Sequence, residues 1–466
     1  VTEQQSAAAP QVNAPPSPWK LLLPVACMVA GILLFQFAAA HERRTEAGQT
    51  WSKAVIAPDA EPLWDGTVPV RARHVSLEAI LAQSPTLRVF LEGLQKEEDG
   101  AEIVSTMGAD RTEAVFMFAL PEELWPELLA EGRAPVPGEP EVVAGNLARV
   151  ETFDLDGQEF DVVGRFRPTV AGVTFAYVLP EHEAFAGLFD EESDGTLGWM
   201  APEGRQRLTE DESIDLTRIE AKLYGAAQNT TTIQWLSLIA LFLVNTGWAW
   251  FQCACMLRLG EWGVPVFGAL ARPMQTYRHT LIGVHLAVYG VMYLIIAVAY
   301  ASPVTQFFLK QFVVELFTSG GMETVGAAYS SGNIAAAAWA TYYHNFIFAT
   351  VLLTLLPSLI VPPAGLIKTL LSTLLVGFAI APMWSGDADG LSFHCITIAV
   401  EMEQYVLASW LMLVYPMLLW RVYQSPARLQ ALAHAGRVMG AGVLVIGILL
   451  GLAAVYEAVT LITFAG

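Results

Sequence analysis

Apolar stretches long enough to cross a bilayer dominate this chain, and one long acidic stretch interrupts them. A hydrocarbon core about 30 Å thick takes roughly 20 helical residues at about 1.5 Å each. Seven segments meet that length: Trp19–Ala40, Ile233–Met256, Thr280–Tyr300, Thr341–Val361, Ala364–Met383, Leu391–Trp420 and Val438–Phe464. A helix satisfies its own backbone polar groups in lipid, whereas an open sheet does not. The expected fold is a polytopic α-helical membrane protein of about seven spans, with a small α+β extracytoplasmic domain between spans 1 and 2. Its parts are a disordered tail over 1–18, a transmembrane anchor over 19–40, an acidic domain over 42–228, and a bundle of about six spans over 232–466.

Charge follows the same division. Residues 41–228 hold 36 of the 45 Asp and Glu and 16 of the 25 Lys and Arg, so the net charge of −20 belongs to that stretch alone. Such a surface repels nucleic acid and anionic lipid headgroups and keeps a domain soluble. The four cysteines, Cys27, Cys253, Cys255 and Cys395, lie in or beside apolar segments. A disulfide framework is therefore not expected. Cys253-Ala-Cys255 lacks a second ligand pair, so zinc is not expected either, and no cofactor is implied. The small-residue run Ala38-Ala39-Ala40 permits signal cleavage. The length of the first apolar segment and the absence of a basic cluster before it favour a retained anchor.

Basic residues in short loops orient the spans. Arg258, Arg272 and Arg278 fall between the second and third spans, Lys368 follows the fourth, and Arg421, Arg428 and Arg437 lie between the sixth and seventh. If all seven spans cross, these positions share one side. The expected placement is the inner (cytoplasmic) membrane, N-terminus cytoplasmic, with 42–228 extracytoplasmic. Arg43 and Arg44, just beyond the first span, oppose that orientation. Glu261–Arg278 is read as a cytoplasmic loop that sets topology or receives a partner. Pro303–Phe317 is amphipathic and too short to span, which suits a helix lying at the outer interface.

Within the acidic domain, Thr45–Gly100 reads as helical, with an amphipathic run opening at Ser76. Ala114–Leu120 reads as a buried strand, Glu122–Leu129 as a short helix, and Glu141–Ala144 and Thr174–Leu179 as strands. Asp156-Gly157 between Thr152–Leu155 and Gln158–Val163 is a strong hairpin signal, because a two-residue turn needs the positive φ that Asp-Gly supplies. No nucleophile–base arrangement, phosphate-cradling loop or metal cluster is visible here, and His74 and His182 stand alone.

The runs Glu131-Gly-Arg-Ala-Pro-Val-Pro-Gly-Glu-Pro-Glu-Val-Val-Ala-Gly145 and Asp156-Gly-Gln-Glu-Phe-Asp-Val-Val-Gly164 resemble the extracytoplasmic core domain of MacB/FtsX-type ABC permeases. The resemblance covers about residues 113–180. It implies turns at Gly132, Gly138 and Gly145, a buried strand at Val162–Gly164, and a permease-like subunit that works with a separate ATPase. That family usually has three spans after the domain, against six counted here.

Ionisable residues inside spans are costly and mark functional hypotheses. His394 and Glu401 are seven residues apart and project from one helix face, while Glu403 points elsewhere. His344 and Asn345 begin the fourth span at a similar height, so His344, Asn345, His394 and Glu401 form a candidate polar cluster. It serves either helix–helix hydrogen bonding or a proton, ion or substrate path. His285 lies nearer the inner side. The series His344-Asn345, Pro357, Gly365, Gly377, His394, Glu401 and Ala408, within about residues 341–410, resembles the stage II sporulation protein M family. That implies a membrane scaffold attached to envelope-remodelling or ABC-type machinery.

The chain carries no Gly-x-x-x-x-Gly-Lys-Ser/Thr run, so any ATP hydrolysis belongs to a partner. Two functions stand. One is a non-ATPase membrane subunit of an ABC-type transport or mechanotransmission machine, which contacts a cytoplasmic ATPase through the Arg258, Arg272 and Arg278 segment. The other is a structural or accessory subunit of a larger membrane complex, docked through an extracytoplasmic or membrane protein partner. An enzyme or redox carrier is the weakest reading.

Overall fold

The computed structural model describes residues 19–47, 52–56, 67–76, 111–118, most of 124–188, 196–200, 229–302, parts of 305–313, 322–383 and 386–464. The tail over 1–18 and the amphipathic run after Ser76 lie outside the described residues.

Among the described residues, six helices are long and apolar enough to cross a membrane. They are α1 (Trp19–Ala47), α3 (Thr231–Glu261), α5 (Arg278–Ala301), α7 (Ile334–Ile360), α9 (Asp387–Gln424) and α10 (Arg428–Phe464). The other α-helices among the described residues are short: α2 (Trp125–Leu128), α4 (Pro265–Thr276), α6 (Glu323–Ser330) and α8 (Ala364–Ile380). At 17 residues, α8 is shorter than the fifth span expected over Ala364–Met383. It packs antiparallel to α7 after the turn at 361–363. There Ser358 Oγ receives the Gly365 N–H at 2.7 Å, and further along Gly377 meets Met292 and Ile295 of α5. The segment Glu261–Arg278, expected as a loop, contains α4, whose Leu270 and Met274 are buried against the bundle.

α9 is the axis of the bundle. Half of its most apolar stretch is buried, with Trp410, Leu411, Val406 and Ala408 fully enclosed. α1 reaches the bundle through close backbone approach to α3. A Cβ at Gly31 would stand 2.8 Å from Ala240 O, and one at Gly247 would stand 2.8 Å from Pro24 O. Small residues at such crossings let helices gain dispersion contact that lipid does not favour over its own packing. In α7 the stretch Tyr343–Leu355 widens to π-helical geometry. The hydroxyls of Thr350 and Thr354 donate to the carbonyls five residues earlier, Asn345 O and Ala349 O, at 2.7 and 2.8 Å. Departures of this kind recur at functional sites.

Between α1 and α3 lies one nine-stranded sheet in the order β1-β9-β2-β3-β8-β5-β7-β4, with β6 on β7. The strands are β1 (Ser52–Ile56), β2 (Thr67–Ser76), β3 (Arg111–Phe118), β4 (Leu129–Gly132), β5 (Glu141–Ala144), β6 (Thr152–Leu155), β7 (Gln158–Phe166), β8 (Tyr177–Pro180) and β9 (Thr196–Met200). β3 runs parallel to β8 and β5 parallel to β7; the other pairs are antiparallel. The helical expectation for Thr45–Gly100 fails at β1 and β2. Val68, Val70, Ala72 and Val75 fall on β2, where β-branched residues and pairing with β3 and β9 favour extended backbone.

Gly157 closes the β6–β7 hairpin at φ +82°, and its N–H donates to Asp154 Oδ1 at 3.2 Å. Gly132 ends β4 at φ +84°, and a side chain there would overlap Val163 O. The best-defined core joins Val142, Phe153, Phe160, Tyr177, Leu179 and Phe185. Phe153 stacks on Tyr177 with ring centroids 3.9 Å apart. Arg133 clasps Glu141 through both guanidinium nitrogens and holds its carboxyl below the usual range.

Candidate functional site: two polar faces of α9 and a cap at its N-terminus

α9 begins badly. Its N-cap is Gly386 at φ +94°, which has no side chain to receive the first N–H groups. A helix elsewhere in this chain solves the same problem locally. Asn333 caps α7 by accepting the Ala336 N–H at 3.1 Å, as short polar side chains do. For α9 the cap comes from another helix. Glu42, fully buried near the end of α1, accepts the Ala388 N–H at 3.2 Å and the Asp389 N–H at 3.1 Å. These are the N2 and N3 donors an N-cap side chain normally satisfies. A carboxylate also suits the positive end of the helix dipole.

The same place gathers the other connection of the sheet unit. Asn229, just before α3, hydrogen-bonds Glu42 through its side chain, and its backbone N–H donates to Met383 O at 2.8 Å. Asp387 receives Lys310 Nζ at 2.6 Å and the Met383 N–H at 2.7 Å. Arg43 pairs with Asp389 at 2.9 Å. The chain leaves the bundle at Glu42 and re-enters it at Asn229; Glu42 is fastened to the first turn of α9, and Asn229 to Glu42 and to Met383, just ahead of that helix.

Further along, α9 presents polar groups on two faces. On one, Glu401 Oε1 receives Asn345 Nδ2 at 2.6 Å. Glu457 of α10 lies close enough for the two carboxyl groups to feel each other's charge. Glu457 in turn meets His394 Nε2 at 3.4 Å. Lys368 Nζ of α8 sits 5.3 Å from the centre of the Tyr405 ring. Asn345, His394 and Glu401 are thus joined through Glu457, which sequence reasoning did not include. His344 is turned to Phe348, with ring centroids 5.6 Å apart. Among the described residues it makes no hydrogen bond to the other three.

On the opposite face, Glu403 is buried and meets His285 of α5. His285 Nε2 stands 3.0 and 3.1 Å from the two carboxyl oxygens. Its Nδ1 lies 2.8 Å from Leu281 O, an acceptor only, so Nδ1 carries a proton. The Nε2–carboxyl contact then needs one further proton, carried by the ring or by the carboxyl. Tyr289 Oη donates to Glu403 at 3.4 Å. Next to the pair, Gln404 Nε2 donates to Gln252 Oε1 at 2.9 Å. Asn245 Nδ2 donates to Tyr293 Oη at 3.1 Å. Cys253 of α3 completes the group: its Sγ, His285 and Glu403 have ligand-type atoms within 4.8 Å of one another.

Glu403 thus points away from the Glu401 face as expected, and His285 stands apart from the expected cluster; that the two pair with each other was not anticipated. A depth count could have found them. Glu403 is 12 residues from the start of its apolar segment at Leu391, and His285 is 15 from the end of its own at Tyr300. At about 1.5 Å per residue those depths differ by about 4–5 Å, within side-chain reach.

Arg258 ends α3, Arg272 lies in α4 and Arg278 opens α5, so all three gather at the end of the bundle away from the Glu42 cap. Arg421 joins them there, 5.2 Å from the Tyr277 ring centre. An open groove of about 950 Å³ between α7 and α10 is lined by apolar and aromatic residues such as Trp339, Phe346 and Gly447, and it brings no ionisable group together. No protein-family model, curated protein or solved structure matches the chain.

Proposed function

We propose that this chain is the non-ATPase membrane subunit of an ABC-type transport or mechanotransmission machine, whose outer domain contacts a substrate or partner. One observation carries the reading: the exit of the sheet unit at Glu42 caps the N-terminus of α9, and its return at Asn229 is bonded to that same Glu42 and to Met383 just ahead of the helix. A displacement of the domain pulls on the one helix that holds both buried polar faces. Packed interiors pass such displacements on rather than absorbing them. In this reading the bundle lies in the inner (cytoplasmic) membrane with the N-terminus cytoplasmic, α8 also crosses as the fifth of seven spans, and 42–228 is extracytoplasmic. Arg258, Arg272 and Arg278 then face the cytoplasm, where a separate ATPase docks. The absence of a phosphate-binding loop assigns hydrolysis to that partner.

The test is affinity purification of the full chain from its native membrane, followed by ATPase assay. A co-purifying ATPase should be recruited by the wild type. Reversing the charge of Arg258, Arg272 and Arg278 together should remove it while the helical content stays intact. A preparation that never recruits an ATPase would sink the reading.

An accessory role in a larger complex is the second reading. It is favoured by the hydrogen bonds that tie α9 to its neighbours, Glu401 to Asn345, Gln404 to Gln252, and Ser409 Oγ to Thr369 at 3.0 Å. Such bonds fix helix packing without any transport. Glu401→Gln separates the two: lowered stability with unchanged partner activity supports the accessory role, and loss of activity in a stably folded variant supports the first.

A further inference from the structure

The cluster on the α3–α5 side of α9 has a use that neither proposed role requires. We propose that Cys253 Sγ, His285 Nε2 and the Glu403 carboxylate form a three-ligand site for one divalent transition-metal ion of the zinc class.

The argument begins with geometry. The three groups come from three helices, α3, α5 and α9, and their donor atoms lie within 4.8 Å of one another. Tetrahedral zinc with bonds of about 2.0–2.3 Å sets its ligands about 3.3–3.7 Å apart. The present 3.0 Å between His285 and Glu403 therefore has to open by about 0.3 Å, and the widest separation in the group, within 4.8 Å, has to close by about 1 Å.

The ring is also held as a metal ligand should be. Nδ1–H is committed to Leu281 O, which leaves Nε2 as the coordinating nitrogen. A backbone carbonyl on the far nitrogen is the usual outer partner of a metal-bound histidine. Tyr289 Oη, 3.4 Å from Glu403, supplies a similar outer contact to the carboxylate.

Charge then selects the ion. A thiolate and a carboxylate together offset a divalent cation, so the loaded site is neutral, the least costly state inside a bundle. One thiolate, one imidazole and one carboxylate match zinc and its neighbours, whereas magnesium and calcium prefer oxygen donors alone. Loading replaces the thiol proton and the proton shared by His285 and Glu403, so two protons leave for each ion bound. Three ligands leave a fourth position open to water or to a passing ligand. Cys255, two residues away, is outside the group, so the Cys-x-Cys spacing itself does not make the site.

The test uses the full chain in detergent, loaded with zinc or cobalt(II) and then dialysed. Metal content per chain should be about one for the wild type and for Cys255→Ser. Cys253→Ser and His285→Gln should weaken binding by at least about 100-fold. Cobalt-loaded wild type should show a thiolate-to-metal charge-transfer band in the near ultraviolet, retained in Cys255→Ser and lost in Cys253→Ser. That band is read on the wild type, so a poorly folding variant does not block the test. A wild type without stoichiometric metal, or with no thiolate band, overturns the proposal. So does binding that survives both Cys253→Ser and His285→Gln.

Discussion

Replacing Glu42 by alanine removes the cap of α9 from a distance of 346 residues in sequence. A buried N–H group on Ala388 and a half-buried one on Asp389 then lose their acceptor, and Gly386 offers none in its place. Loss of an N-cap costs about 0.5–2 kcal/mol. Stranding a buried donor adds about 1–3 kcal/mol. Removing a negative charge beside Asp387 and Asp389 returns part of that, leaving an expected loss of about 2–3 kcal/mol. Glu42→Gln keeps one acceptor oxygen but turns an NH₂ toward the second donor, so about 1–2 kcal/mol is expected. The neighbouring Arg43–Asp389 pair is 52% and 42% exposed, and exposed pairs contribute about 0–1 kcal/mol. Arg43→Ala should therefore cost less than either Glu42 variant. Reversible unfolding in mixed micelles, followed by helical circular dichroism, measures all three. The reasoning is refuted if Glu42→Ala stays within about 0.5 kcal/mol of wild type, or if Arg43→Ala costs more than it does.

Four other positions give outcomes that can be measured. Gly247→Ala places a Cβ 2.7 Å from Met28 Cγ and 2.8 Å from Pro24 O, and should cost about 1–3 kcal/mol in the same unfolding assay. Gly290→Ala meets nothing within 4 Å and should be neutral or stabilising. Asn345→Ala leaves Glu401 buried without its 2.6 Å donor and should cost about 2 kcal/mol or more, whereas Asn345→Gln, one methylene longer, should recover part of the loss. In the sheet unit Arg133 lowers the Glu141 pKa below its unfolded value. Its stabilisation is then complete above about pH 4.3, the unfolded value, and fades as pH falls through the lower folded value. Arg133→Gln should flatten that acid-side decline in a pH series of unfolding, and should shift the Glu141 titration upward when followed by NMR.

The membrane helices were legible because lipid imposes a length and a composition that few soluble segments share. The apolar runs around Ile233–Met256, Thr280–Tyr300 and Leu391–Trp420 lie inside α3, α5 and α9. The ends were less legible: α7 starts at Ile334 rather than Thr341, and α9 at Asp387 rather than Leu391. The polar first turn of α9 is bonded by the Glu42 cap rather than by lipid, and the start of α7 is set by its Asn333 cap; hydropathy does not register caps. The Asp156-Gly157 turn was legible for a local reason, since positive φ is a property of the residue itself. β1 and β2 were not, because their extended state depends on β9 and β3, which lie far along the chain.

The candidate site divides the same way. Asn345 and Glu401 could be singled out because an ionisable or amide group in an apolar helix is conspicuous alone. Their partner Glu457 needed the position of α10. Glu403 and His285 were visible as residues but not as a pair, since rotation about a helix axis decides which faces meet. Glu42 carried no signal, because a glutamate at the end of an apolar segment is ordinary at a membrane surface.

By itself, then, the amino-acid order determined which segments enter lipid, where the excess negative charge resides, and which buried groups need partners. These follow from solvation, which each residue meets locally. Only the tertiary structure decided that Glu42 and Asn229 meet at α9, and that Cys253, His285 and Glu403 form one cluster. Those facts depend on the tilt, rotation and close approach of helices, set by packing at positions such as Gly31, Gly247 and Gly377 that bear no charge at all.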